Sequence, residues 1–491
     1  MSASFRHTRR DAIRLGVAAG VTALTPRLSF GAVAPDHQER EFLIRGGRVV
    51  NADGITTADV RVVGARIAEV GRNLRASTGG EVIDASGKLV MPGGIDPHTH
   101  LHPGFADDLT SGSQAALAGG ITTVGTFATP ARGESAMDAV NRMEGTIGRE
   151  AIADVILHAS VWPPTPELIA ALPQLVEKGQ PSIKFYMVRT DWGANLEMVI
   201  KTLDAARAAG IVTMIHCEDS ALLAAAVRRL TAAGKTSLEN YPESRPVQAE
   251  VSATAQAAAL CEDTRAPMHI VHMSSARALD ACRAARALGA PLTIETRPLF
   301  IHLDESKLRG PDHRLFVGQP PLRPRPDVDA MMRGLIDGSI DILATDHAPW
   351  TREQKMDPQL NIARVRPGAS DLQFMLPMFF SEGVGKRKCS LERFVAATST
   401  NVAKIFGLYP QKGVVRAGAD ADLAIWDPRL TRTVRAEADY GKSDYSPYEG
   451  WSVTGWPVTV LRRGEVVLAD NTVRGSAGSG RLARRTPRTQ G

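Results

Sequence analysis

From Glu41 to about Ile95, apolar and polar positions alternate in short runs, as in Phe42-Leu43-Ile44-Arg45-Gly46-Gly47-Arg48-Val49-Val50 and Val60-Arg61-Val62-Val63-Gly64-Ala65-Arg66-Ile67. A period of two with turn residues between the runs predicts short strands. The same texture returns in Asp422-Leu423-Ala424-Ile425-Trp426 and across 458–468. The two flanks, 41–93 and 408–472, are therefore expected to meet as one small β-sandwich.

Between the flanks the pattern changes. Apolar runs at 121–128, 154–160, 182–187, 211–216, 268–273, 291–295 and 340–345 alternate with helical stretches such as 196–209 and 247–260. The run ending at Asp96 makes eight. Near-continuous apolar strands are strands buried on both faces, and eight strand–helix units in succession predict a (β/α)8 barrel of the α/β class over 94–407. The last stretch, 475–491, is rich in Gly, Ser and Arg and reads as a disordered basic tail.

Composition narrows the class without naming a function. The chain has 491 residues, 43% hydrophobic and 23% charged, which excludes a disordered or a membrane-spanning protein. The formal charge of +5 is concentrated at the ends: 1–34 carry five Arg against one Asp, and 474–491 carry five Arg and no acid, which leaves −4 for the body. A mildly acidic body without a basic stripe excludes a nucleic-acid partner. Thr8-Arg9-Arg10-Asp11-Ala12-Ile13-Arg14, followed by a short apolar run, resembles a twin-arginine export signal over 1–34. The run is too short to span a bilayer. A periplasmic or secreted protein, with no membrane insertion after processing, is the expectation. Cys217, Cys261, Cys282 and Cys389 form no CxxC pair and read as buried thiols.

The candidate chemistry lies at the predicted strand ends, where barrels place their functional side chains. Gly94-Ile95-Asp96-Pro97-His98-Thr99-His100-Leu101-His102 puts His98 and His100 on one side of extended chain, a pair that suits one metal ion. His102 shares their parity but lies further out and reads as a bystander. His216 closes the fifth run, His272 the sixth and Asp346 the eighth. His158, His269 and His302 read as core residues. Lys184 sits inside the apolar fourth run, where an unpaired ammonium costs several kcal/mol. Carbamylation by carbon dioxide would make it an anion able to bridge two divalent ions. His98, His100 and Asp346 would complete one site, and His216 with His272 the other.

These residues resemble the cyclic amidohydrolases of the amidohydrolase superfamily, in the dihydropyrimidinase, hydantoinase and allantoinase branch. The resemblance covers about 41–472. Its carriers include Gly94-Ile95-Asp96-Pro97-His98-Thr99-His100, Ser182-Ile183-Lys184, Ser244-Arg245-Pro246, Pro320-Pro321-Leu322-Arg323, Ala344-Thr345-Asp346-His347-Ala348-Pro349 and Asn401-Val402-Ala403-Lys404-Ile405-Phe406-Gly407. It implies a barrel with a β-domain, and two divalent ions bridged by carbamylated Lys184. Zinc is the expected metal, and the same donor set accepts manganese or cobalt. It further implies metal-bound hydroxide as nucleophile, Asp346 as general base and then acid, a small cyclic amide, imide or ureide as substrate, and a homo-oligomer, possibly a tetramer.

Three positions depart from the hydantoinase pattern. Arg189 stands five residues after the lysine, where those enzymes usually have a tyrosine over the oxyanion side of the ring. Arg297 stands in place of the usual cysteine, and Arg366-Pro367-Gly368 replaces the ring-binding Pro-Asn-Gly. Arg189, Arg297 and Pro367 are therefore expected at the substrate, with the two arginines favouring an anionic one. An allantoinase- or dihydroorotase-like hydrolase is the alternative, and a non-catalytic scaffold relative the more distant one.

Overall fold

Eight parallel strands form a nearly closed barrel in chain order: Gly94–Thr99, Ile121–Ala128, Asp154–Ser160, Ser182–Tyr186, Val212–His216, Met268–Ile270, Leu292–Thr296 and Ile342–Leu343. The computed structural model describes residues 40–488, so the twin-arginine segment lies outside the described residues. Most of these strands are buried along their whole length, which is why their sequences lack the alternation of a half-exposed strand. The ring is tied shut beside the first strand by the Thr99–His347 bridge and by His100 N–H donating to His347 O at 2.7 Å. Helices such as Leu196–Ala208 and Val247–Thr264 lie between consecutive strands.

The flanks share one nine-stranded mixed sheet. Leu423–Thr433 pairs antiparallel with Leu89–Pro92, which runs parallel to Glu41–Asn51, so the seam joins the two ends of the chain. A buried charge cluster links this sheet to the barrel. Lys412 Nζ lies 2.8 Å from Asp154, at the start of the third barrel strand, and also pairs with Asp420 and Asp422. Among the described residues no helix is long and apolar enough to cross a membrane. All four cysteines are free and buried.

The expected disordered tail is corrected by the structure. Residues 475–488 run along the base of the barrel, where Arg485 N–H donates to Gly179 O and Thr486 N–H to Gly407 O. Gly179 and Gly407 have φ of +70° and +75°, and a Cβ at Gly407 would lie 2.0 Å from Thr486 O. Arg485 is 4% exposed, and its guanidinium donates to Leu157 O at 2.6 Å and Ser182 Oγ at 2.9 Å. Gly, Ser and Arg composition signals disorder only when the chain finds no groove, and here glycine-lined loops supply one.

Candidate active site

Six chemically apt residues from five strands and the turns that follow them line one cavity of about 200 Å³: His98, His100, Lys184, His216, His272 and Asp346. His98 and His100 reach it because residues two apart on extended chain share a face. His272 and Asp346 reach it differently. Both lie just past short strands, in the left-handed region at φ 40° and 49°. For non-glycine residues this costs about 1–3 kcal/mol each and persists only where surrounding bonds impose it.

The donors form two groups. Nε2 of His98 and of His100 lie 3.3 and 3.0 Å from Asp346 Oδ1, and ligand atoms of these three residues fall within 4.8 Å of one another. The rings of His216 and His272 meet edge to face with centroids 4.5 Å apart. Lys184 Nζ is buried, among the described residues without a hydrogen-bond partner, over the rings of Phe127 and Tyr186. Burial pushes its ammonium down to about 8, against Glu295 and Asp346, which favour the charge. An orphaned nitrogen between two sets of imidazoles fits a group that gains an acidic function there. The donor set of nitrogens and carboxylate oxygen suits zinc, manganese or cobalt.

Buried acids orient the imidazoles. Glu295 Oε1 lies 2.7 Å from His98 Nδ1 and accepts the His272 N–H at 3.0 Å, while its Oε2 lies 3.2 Å from His269 Nε2. Glu218 Oε2 lies 2.8 Å from His216 Nε2, leaving Nδ1 as the free ring nitrogen, and Glu218 is itself gripped by Arg245. Burial opposes both carboxylates. The His98 and His269 contacts nonetheless hold Glu295 well below the usual range, and Arg245 with His216 does the same for Glu218. Burial lowers three of the candidate ligand imidazoles as well, His98 to about 4, His216 below its ordinary value and His272 well below it, which favours neutral, metal-ready rings. Asp96, raised by burial to about 7, accepts from Thr345 Oγ1 at 2.5 Å and His98 N–H at 3.1 Å, bracing the first strand against the eighth.

Two substrate expectations are corrected. Arg297 is fully buried, donating from Nη1 to Asp346 Oδ2 at 3.0 Å and from Nη2 to Asp371 Oδ2 at 3.1 Å, and does not line the cavity. Two protein carboxylates already occupy its fork. Arg189 is exposed and also outside the lining, because the chain turns at the strand end, with Arg189 N–H bonding back to Tyr186 O. Pro367 does line the cavity, beside Gly368. His102 is half-buried and outside the lining, His158 bonds Ser182 Oγ and Pro97 O inside the barrel, and His302 is buried.

Sequence reasoning missed Glu295, Glu218, Tyr186, Phe105 and Gln319. The last three line the cavity. The one available signal was spacing: Glu218 follows His216 by two, and Tyr186 follows Lys184 by two, the same-face interval that picked out His98 and His100.

A family model described as Amidohydrolase family matches residues 89–467. The chain belongs to the amidohydrolase family. Among its relatives, a D-hydantoinase of Geobacillus stearothermophilus is 35% identical over 453 residues, covering 90% of this chain and 96% of the relative. A D-hydantoinase of Rhizobium radiobacter is 34% identical over 456 residues, covering 91% and 99%. The crystal structure of dihydropyrimidinase from Brevibacillus agri NCHU1002 superposes with a TM-score of 0.87 at 33% identity, covering 92% of this chain and 100% of that one. An L-hydantoinase from Arthrobacter aurescens gives 0.81 at 27% identity, covering 90% and 99%. This amidohydrolase therefore shares both architecture and length with these hydantoinases and the dihydropyrimidinase, and His98, His100 and Asp346 form a potential metal site within it.

Proposed function

We propose that this amidohydrolase opens a cyclic amide, imide or ureide ring by hydrolysis, and that the ring is uncharged. The observation that carries the reading is the orphaned Lys184 Nζ between the His98–His100–Asp346 cluster and the His216–His272 pair, all facing one small cavity. The D-hydantoinase relatives support it. So does the lining: beyond the six candidate ligands the cavity offers Phe105, Tyr186, Val188, Gln319, Ala348, Pro367 and Gly368, and among the described residues no further cation lines it to hold a substrate carboxylate.

Carbamylated Lys184 would hold the divalent ions together with His98, His100, Asp346, His216 and His272. Bound ions would supply Lewis acidity, polarising the ring carbonyl and acidifying water. A lysine whose ammonium is lowered to about 8 is partly a free amine at neutral pH, the form that combines with carbon dioxide. Asp346 takes the proton of the attacking water and returns it to the ring nitrogen as the carbon–nitrogen bond breaks, leaving a carboxylic acid at one end and an amine, amide or ureide at the other, according to the ring. Arg297, His98 and His100 keep the Asp346 carboxyl well below the usual range despite its burial, so it starts the cycle as a base. Phe105, Val188 and Pro367 present apolar surface to the substrate. The twin-arginine motif supports export of the folded, metal-loaded enzyme, and the family resemblance supports a homo-oligomer.

The test is turnover by protein purified with zinc, manganese or cobalt and bicarbonate, on dihydrouracil, hydantoin and 5-phenylhydantoin beside carboxylate-bearing analogues. The neutral rings should open, chelation should abolish turnover, and metal with bicarbonate should restore it. Preference for the carboxylated rings would overturn the uncharged substrate. Failure of every ring would overturn the reading itself.

A further inference from the structure

Part of the cavity wall is backbone. Pro367 and Gly368 form one strip of it, and a second strip ends at Gln319. Both are held by one buried cation. Lys355, on the short helix Arg352–Met356, is 1% exposed, and its ammonium donates to Val317 O at 2.8 Å, Arg366 O at 2.9 Å and Gly368 O at 2.9 Å. An ammonium has three N–H donors, so this one is fully engaged. Among the described residues no carboxylate forms an ion pair with it.

The surrounding bonds extend the clamp. Gly368 N–H donates to Val317 O at 3.0 Å, and Trp350 Nε1 donates to Pro367 O at 2.8 Å. The carbonyls of 366, 367 and 368 thus each have a partner before a substrate enters. Gly368 has a φ of 111°, and a Cβ there would lie 2.4 Å from Ala348 O, so the wall presses directly on the chain that follows Asp346. Burying a cation without a counter-ion is costly, and burial does push the Lys355 ammonium well below its ordinary range. Three converging carbonyl dipoles are the compensation the fold provides.

We infer that Lys355 is a positioning residue for substrate binding, which sets the width of the cavity by clamping 366–368 against 317–319 without touching the substrate. This rests on the ring-opening reading of the same cavity. Pro367 has no N–H and the Gly368 N–H is already bonded to Val317 O, so this strip offers a substrate no free donor and holds its shape through carbonyls that each already accept one bond. Loosening it removes binding that is equal in ground state and transition state, which raises KM and spares kcat.

The experiment compares wild type with Lys355→Met, both loaded with zinc and bicarbonate, by kinetics on 5-phenylhydantoin and by hydrogen exchange of peptides covering 357–368. The expected result is a KM raised about tenfold with kcat within about threefold, and exchange about tenfold faster in 357–368 but unchanged in the barrel strands. A fall in kcat at constant KM, or unchanged exchange, would overturn the inference. So would faster exchange throughout the barrel at constant KM, the signature of a purely structural lysine. If Lys355→Met does not fold, Trp350→Phe removes one donor and keeps the ring. It should raise KM in the same direction by a smaller factor, and an unchanged KM again counts against the clamp. If the wild type opens no cyclic amide, the ring-opening reading fails alone, and local exchange in 357–368 still decides the clamp.

Discussion

Arg297 donates to one oxygen of Asp346 at 3.0 Å, while the other oxygen of the same carboxylate faces Nε2 of His98 and His100. The guanidinium therefore divides the carboxylate into a braced side and a reactive side. Its other arm holds Asp371, which also accepts from Tyr448 Oη at 2.9 Å. Removing one partner of a buried pair costs about 3–5 kcal/mol, because the other charge stays buried and alone. Arg297→Leu should lower kcat and bound metal, and leave the preference between neutral and carboxylate-bearing rings as in wild type. A KM that rises for carboxylated rings alone would show that Arg297 reaches the substrate after all.

Glu295 serves His98, His269 and the His272 backbone at once. Substitutions of such orienting groups typically lower metal affinity about 10–100-fold. Glu295→Gln should show that loss in metal content after dialysis against a graded chelator, with circular dichroism unchanged. Full metal retention would mean the histidines are oriented without it.

The C-terminal strap makes a different kind of prediction. Arg485→Met leaves Leu157 O and Ser182 Oγ without this donor at the barrel base. A buried polar group deprived of its partner costs about 1–3 kcal/mol, so the urea midpoint should fall accordingly. Deletion of 475–491 should lower it further. A midpoint equal to wild type for both would remove the strap from the list of stabilising contacts.

His302 sets a pH dependence away from the metal site. Burial first, then Arg387, Arg325 and Lys386, lower its pKa to about 3, and among the described residues its Nε2 has no hydrogen-bond partner. Below pH 6.5 the unfolded chain takes up this proton and the folded chain does not, so stability is lost as pH falls from 6.5 toward 3. The slope from one such group is about 1.4 kcal/mol per pH unit. His302→Leu should lose less stability than wild type between pH 7 and pH 5 in urea titrations. Parallel losses would assign the acid sensitivity to other groups.

The eight barrel strands and the six candidate ligands were legible in the sequence for one reason. Burial on both faces writes itself as an uninterrupted apolar run, so a polar residue that ends such a run, or a lone lysine inside one as at Lys184, stands out. Boundaries were less legible at Ile342–Leu343 and Met268–Ile270, where the apolar run continues but the chain has already turned toward His272 and Asp346. The partners of Arg297 were not legible at all. Asp346 is 49 residues away and Asp371 is 74, and nothing in a local pattern says whether a buried guanidinium meets a protein acid or a ligand. The tail is the mirror case, since its composition is that of a free chain and its order comes from a groove built by Gly179, Gly210 and Gly407. Sequence by itself determined which polar residues the barrel strands carry toward one cavity, because residue type and strand phase are local properties. Only the tertiary structure decided which cations face the substrate and which wall shapes it, because charge pairing and cavity width depend on residues brought together across the whole barrel.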